Sequence, residues 1–369
     1  MLQPPPAEPG APIDEVDTPA LLIDLDAFEK NLDHMASLAR EAGVKLRPHA
    51  KTHKSPVIAR LQMARGAVGQ CVQKVSEAEI LAWGGVGDIL VSNEVAGPRK
   101  LARFAALSRI STAAICVDSD AGVAALEAAA EDAGLRLTAL IEIDVGMDRC
   151  GIPPGPAVTA LAQRIAASRW LRFGGLQAYQ GGAQQQRTPD ERRASIARAI
   201  AATGQTVADL KDVSLNCPIV GGAGTGTFGL EAASGVYTEL QVGSYVFMDA
   251  DYARNEQAPP FAQSLFVLAT VMSTPRRDLA VVDAGLKALA FDSGPPVVWN
   301  RPGVTYAGAS DEHGKLVIAG GTEAPRLGEK LRLQPGHCDP TVDRYDWYVG
   351  CRGDRVECLW PVAARGMMA

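Results

Sequence analysis

The chain has 369 residues, 47% of them hydrophobic and 21% charged, with a formal net charge of −6. This composition excludes a disordered chain, and the dispersed lysines and arginines exclude a nucleic-acid footprint. Seven scattered cysteines without a CxxC pair exclude a structural zinc knot and argue against a disulfide framework.

Residues 1–15 begin Pro-rich and read as a flexible arm. The N-terminus lacks a signal-peptide pattern, and no apolar run approaches the roughly 18–20 residues that span a bilayer. The expected setting is cytoplasmic, without a membrane partner.

From 16 to 258 the chain repeats a short apolar or β-branched run followed by an Ala/Leu-rich segment of helical period. Leu21–Leu25 reads as a strand, and Asp26 as the cap of a helix that ends at Gly43. Further strands are expected over 45–51, 69–74, 88–93, 110–118, 136–145, 172–181, 215–224 and 239–249. Roughly eight such units close into a TIM (β/α)8 barrel of about 250 residues. An open doubly wound sheet is the alternative, because periodicity does not report closure. From 259 to 369 the texture changes to strands and turns such as DEHG and GDR, which predicts an all-β domain.

In a TIM barrel the chemistry sits at the C-terminal ends of the strands. Lys51 ends one such strand beside His49 and His53, and Ser55-Pro56 after it is an N-cap and N1 pair. A lysine desolvated there would have the depressed pKa of a Schiff-base nucleophile, the alternative being a solvated surface residue. GGAGTGTFG (221–229) follows a strand and offers backbone N–H groups to an anion, or is a Gly-rich turn. His337 and Asp339, on one side of an extended chain, suit a divalent ion such as manganese, magnesium or zinc, or form a turn. Arg149 is placed to pair with Asp144 or to reach a ligand.

Taken together, RPHAKTHK (47–54), QKVSEAE (73–79), EIDVGMDRCG (142–151), LQAYQG (176–181), GGAGTGT (221–227), SGVYTELQVGSYVFMDADY (234–252) and PGHCDPT (335–341) are familiar. The chain resembles the D-threonine aldolase and D-3-hydroxyaspartate aldolase family of fold-type III pyridoxal phosphate (PLP) enzymes, from about residue 16 to 366. The resemblance implies a PLP-binding barrel covered by the C-terminal β-domain, which the segment before the first barrel strand usually joins. It implies that Lys51 is the Schiff-base lysine and that Gly224, Thr225 and Gly226, with Ser244 and Tyr245, cradle the phosphate. Arg149 would face the pyridine nitrogen, Tyr179 would lie beside the cofactor, and Gln73 would contact it or the substrate. His337 and Asp339 match the family's metal ligands, for which manganese comes first and magnesium, calcium, cobalt or zinc are alternatives. A homodimer is the assembly that the resemblance implies.

One position departs from the family. Many of its aldolases carry a histidine where this chain has Gln185, and an amide is no general base. That leaves the β-hydroxyl proton to His49, to His53 or to a metal-bound hydroxide. The expected reaction is cleavage of a D-β-hydroxy-α-amino acid to glycine and an aldehyde. Dehydration to a keto acid and ammonia, on D-serine or 3-hydroxyaspartate, is the rival.

Overall fold

The computed structural model describes residues 3–369. Eight short parallel strands form the first sheet: β2 (Lys45–Leu46), β3 (Gln70–Val72), β4 (Asp88–Glu94), β5 (Thr112–Val117), β6 (Leu137–Glu142), β7 (Leu171–Gln177), β8 (Ile219–Gly222) and β9 (Glu239–Leu240). Their order is β2-β9-β8-β7-β6-β5-β4-β3. A parallel bridge between His49 and Cys71 joins the two ends. The amides of Val68 and Cys71 donate to Leu46 O and Pro48 O, both at 2.8 Å, on the same seam. The sheet is therefore closed, as a (β/α)8 barrel requires. Apart from β4, the observed strands are shorter than the sequence predicts, because the C-terminal part of the apolar run bends into the loop that forms the mouth.

Helices return the chain between strands: α1 (Leu25–Glu41), α2 (Pro56–Met63), α3 (Val75–Trp83), α4 (Pro98–Leu107), α5 (Asp120–Ala133), α6 (Pro156–Ala167) and α7 (Pro189–Asp212), with the short α8 (Phe228–Ala232) and α9 (Ala250–Ala253). The cap of α1 is Asp24, whose carboxylate accepts from Ala27 N at 3.1 Å. Asp26, expected in that role, lies in the first turn, where its charge still favours the helix dipole. Gly43 takes the left-handed φ of +69° expected of it.

The second sheet contains β10 (Leu265–Arg276), β11 (Leu279–Val282), β12 (Val297–Val298), β13 (Val304–Ala309), β14 (Gly314–Ile318), β15 (Lys330–Gln334), β16 (Trp347–Arg352) and β17 (Arg355–Pro361). Its ninth strand is β1 (Ala20–Asp24), antiparallel to β10 and parallel to β16. A barrel beginning at residue 16 thus needs correction: β1 is buried in the middle of the β-domain sheet, and α1 leads from it to the barrel. The arm also differs from expectation, since Gly10 N and Ile13 N each donate at 2.8 Å to the backbone at Val356 and Asp354. Residues 10–13 are tied to the start of β17, and Gln3 to Asp346 and Trp347, rather than free.

Two large cores result. One lies between barrel and helices, from Ala50 to Tyr237. The other joins α1 to the β-domain, where fully buried Phe28 packs on Phe247 and Trp360, with ring centroids 6.3 and 5.8 Å away. Burying one such side chain stabilises the fold by about 1.5–3 kcal/mol. This second core holds the β-domain against the barrel, so residues around 337 reach the barrel mouth.

Candidate active site

A cavity of about 370 Å³ opens at the C-terminal ends of the strands. Its wall takes His49 and Lys51 from the turn after β2, Gln73 from the end of β3, Arg149 after β6, Tyr179 after β7, Gly224 and Thr225 after β8, and Ser244 after β9. Seven of the eight strand runs contribute their C-terminal ends, β5 being the exception, which is why the sequence could name these residues. A second, wider cavity of about 830 Å³ meets the first at Lys51 and His337 and is lined also by Asp339, Asp292 and Arg344.

Lys51 Nζ lies 2.5 Å from Asp339 Oδ2. Burial alone would lower the lysine pKa, but the carboxylate outweighs it, and the pKa is raised rather than depressed. The same contact, with His337, holds Asp339 well below the carboxylate range despite its burial. His49 Nδ1 accepts the Lys51 amide at 3.3 Å, and its Nε2 is 2.8 Å from Gln73 Nε2 and 3.4 Å from Ser92 Oγ. Burial, then the Lys51 charge, pull the His49 pKa well down, so the ring is neutral.

His53 is elsewhere. It is fully buried behind the turn and does not line the cavity, its Nδ1 accepts from Ser55 N at 3.1 Å, and burial lowers its pKa to about 4. The 3-10 turn Ala50–Thr52 carries it away from the mouth, so a catalytic contact is not available to it.

The Gly-rich stretch divides similarly. The N–H groups of Gly224 and Thr225 have no hydrogen-bond partner among the described residues. Thr225 Oγ1 accepts from Tyr245 N at 3.1 Å, which leaves the hydroxyl proton free to donate. Gly226 N donates instead to Gln184 Oε1 at 2.8 Å. The Tyr245 ring is buried against Phe261, and its hydroxyl accepts from Gln62, so its side chain takes no part in an anion cradle. A Cβ on Gly224 would lie 2.5 Å from Gln184, and one on Gly243 2.4 Å from Thr52 Oγ1. Glycine at those places keeps the cradle open.

Arg149 does not pair with Asp144, whose Oδ1 accepts the amides of Gly146, Met147 and Asp148 at 2.9, 2.9 and 3.2 Å. Its guanidinium sits 5.9 Å from the Tyr179 ring centroid and 3.8 Å from Glu142.

His337 and Asp339 are not on an extended strand. His337 is the N-cap and Asp339 the first turn of α10 (Cys338–Val342), with Cys338 buried between them and its N–H donating to Asp249 at 3.0 Å. His337 Nδ1 lies 2.6 Å from Asp292 Oδ2, which sequence reasoning missed. Asp292 belongs to the loop after β11, and nothing local in FDSGPP signals a histidine partner 45 residues away. Tyr252 and Thr52 also line the wall without having been singled out. Arg254 and Arg301 face Asp251 and Glu329, whereas Arg344 lines the wider cavity.

The residues fit both implied groups. Unpartnered backbone N–H groups, a threonine hydroxyl and a lysine amine suit a phosphorylated aldehyde. An imidazole beside a carboxylate suits a divalent ion with open positions, although no group of three ligating side chains exists among the described residues. Among the described residues no helix is long and apolar enough to cross a membrane.

Residues 23–251 match the alanine racemase N-terminal domain, and residues 264–351 a putative serine dehydratase domain. A D-threonine aldolase of Arthrobacter sp. is 47% identical over 98% of this chain and 96% of its own. A 3-hydroxy-D-aspartate aldolase of Paracoccus denitrificans is 45% identical over 98% and 95%. A D-threo-3-hydroxyaspartate dehydratase of Delftia sp. is more distant, 31% identical over 94% and 97%. The crystal structure of a D-threonine aldolase from Filomicrobium marinum superimposes with a TM-score of 0.97 at 49% identity, covering all of both chains. With the same two domains in the same order and full-length identity on this scale, the chain belongs to the D-threonine and 3-hydroxy-D-aspartate aldolase family, on the alanine racemase-like fold.

Proposed function

We propose that the protein cleaves D-β-hydroxy-α-amino acids of the D-threonine or D-3-hydroxyaspartate type to glycine and an aldehyde, using PLP and a divalent metal. The observation that carries this reading is the position of Lys51, between the open cradle at Gly224–Thr225 and the His337–Asp339 pair. A cofactor held by Lys51 and the cradle would present its substrate to a metal held by the pair.

Lys51 would hold PLP by its amine, with Thr225, Ser244 and the N–H groups of Gly224 and Thr225 on the phosphate, and Arg149 and Tyr179 at the ring. PLP supplies the sink for the electron pair left on Cα when the Cα–Cβ bond breaks. His337 and Asp339 would hold the metal, manganese in the first instance, whose Lewis acidity makes the β-hydroxyl easier to deprotonate. The reaction balances without water or redox change: the hydroxyl proton leaves, a carbonyl forms at Cβ, and Cα gains a proton.

The chain's own groups divide the proton work. Neutral His49 on the cavity wall is the group suited to accept the hydroxyl proton, and Lys51 Nζ is suited to return one to Cα. Gln185, which lines the cavity, can hydrogen-bond the substrate but cannot take its proton. That substitution is what favours the second reading, dehydration to a keto acid and ammonia. A homodimeric assembly in the cytoplasm belongs to this proposal and rests on the resemblance.

The test is product identification with D-threonine and D-3-hydroxyaspartate, with and without chelator. Glycine with aldehyde, lost on chelation, is expected; ammonia with keto acid would replace this reading by the dehydratase.

A further inference from the structure

Behind Arg149 lies a group of acids that the proposed chemistry does not use. Glu94 ends β4, Asp118 follows β5 and Glu142 ends β6, so three neighbouring parallel strands deliver carboxylates to one side of the barrel rim. Glu142 is 5% exposed. Both oxygens of Glu94 are buried, and neither receives a hydrogen bond from any described residue. The groups nearest to it are the Glu142 carboxyl and the Cys150 thiol, a weak donor.

Two ionised carboxylates in that contact would be untenable. Each oxygen carries only lone pairs, neither can donate, and their like charges repel strongly away from water. One proton between them turns the clash into a charge-assisted O–H···O⁻ hydrogen bond and gives the orphaned Glu94 its partner. The surroundings favour taking that proton. Burial comes first for both residues; Asp118 then opposes the ionisation of Glu94, and Glu94 that of Glu142, whose pKa rises to about 8. The other groups facing the pair are the thiols of Cys116 and Cys150, both pushed up by burial, and Arg149; Cys150 favours ionisation of Glu94 and Arg149 that of Glu142, against the larger effect of burial. Asp118 is itself engaged, accepting the Gly151 amide at 3.2 Å.

We propose that Glu94 and Glu142 share one proton at neutral pH and that this acid pair positions Arg149. The pair then carries a single negative charge. Glu142 anchors one edge of the guanidinium at 3.8 Å, Tyr179 flanks it, and the remaining N–H groups are left for the cavity. A fully ionised pair would draw Arg149 back onto the acids; a neutral pair would release it. The shared proton thus sets how much positive charge Arg149 presents to the ring it faces. This second half rests on the cofactor reading of Arg149 above, whereas the shared proton does not.

The test uses the full chain in two forms. In the cofactor-free protein labelled with 13C-glutamate, the infrared carbonyl stretch of a protonated carboxyl is followed with pH. Difference spectra against Glu94→Gln and Glu142→Gln separate the pair from Glu231, which burial also pushes up, to about 7. One protonated glutamate at neutral pH, missing from both variants, is expected; no such band while the protein stays folded would overturn the shared proton.

In the PLP-loaded protein, the pH midpoint of the cofactor absorbance is compared. Glu94→Gln keeps the wild-type midpoint, because the amide N–H supplies the hydrogen bond and Glu142 keeps the charge. Glu142→Gln moves the charge one side chain further from Arg149 and lowers the midpoint by about one pH unit, a tenfold change. Glu142→Asp, with the charge retained, recovers part of the shift. Equal shifts in Glu94→Gln and Glu142→Gln would reduce the pair to packing and overturn the positioning role. An unchanged midpoint in Arg149→Leu would overturn the cofactor reading of Arg149, and the positioning role with it, leaving the infrared result to decide the shared proton.

Discussion

Lys51 Nζ and Asp339 Oδ2 stand 2.5 Å apart, so the amine proposed to hold the cofactor and a carboxylate proposed to hold the metal neutralise each other in the protein alone. Each proposed ligand therefore frees a partner for the other. A metal cation must compete with the Lys51 ammonium for Asp339, and converting that amine removes the competitor. Divalent metal is predicted to bind the PLP-loaded protein at least tenfold more tightly than the cofactor-free protein, and cofactor-free Lys51→Ala more tightly than wild type. Calorimetric titration with Mn²⁺ measures both, and equal affinities would show that the pair does not guard the site.

The contact between Asp292 and His337 leads to a second prediction. A carboxylate on the far nitrogen of a ligating imidazole fixes the ring's orientation and raises its basicity. Here that partner is Asp292 Oδ2, 2.6 Å from His337 Nδ1. Asp292→Asn should weaken metal affinity by about 10–100-fold. The metal concentration giving half-maximal product formation is the readout, with kcat at saturating metal nearly unchanged.

His49 and Gln185 share the cavity wall but offer unequal chemistry. General-base assistance contributes about 10²–10⁴-fold, and the neutral ring of His49 can supply it, whereas an amide cannot. His49→Gln is predicted to lower kcat within that range, and Gln185→Ala by less than tenfold. Steady-state kinetics on D-threonine compare the two. If Gln185→Ala were the more damaging change, the proton work would have to be reassigned.

Much of this architecture was legible in the chain. The run-then-helix repeat carried the barrel, since each unit's polar terminus must fall at the mouth, and Lys51, Gln73, Arg149 and Tyr179 all line the cavity. What escaped was set by contacts distant in sequence. Leu21–Leu25 has the same texture as a barrel strand, and its membership of the β-domain depends on pairing with residues some 240 and 330 positions later. Tyr245 sits in a glycine-flanked motif, yet Gln62 and Phe261 draw its side chain into the core. Likewise, the alternation that put His337 and Asp339 on one side assumed a strand where the chain begins a helical turn. Neither Asp292 nor the Glu94–Glu142 contact has a local signature, because each joins separate strands or loops.

His53 gives the last prediction, on stability rather than rate. Its pKa is lowered by burial from an unfolded value near 6.5 to about 4, and the residue is fully buried. Between those two values the unfolded chain binds the proton and the folded one does not, so falling pH favours unfolding. The contribution is fully present above pH 6.5 and is lost progressively as pH falls to about 4, a loss of roughly 3 kcal/mol over that window at about 1.4 kcal/mol per pH unit. His49, lowered by burial in the same direction, adds to the slope. Replacing His53 by Gln removes the titration while keeping a polar side chain of similar reach. Its melting temperature should therefore fall less steeply than wild type as pH drops from 6.5 to 4, even though the variant starts from a lower value at pH 7. Parallel curves for the two proteins would mean that His53 is protonated in the folded state, with a partner in place of its unpaired Nε2.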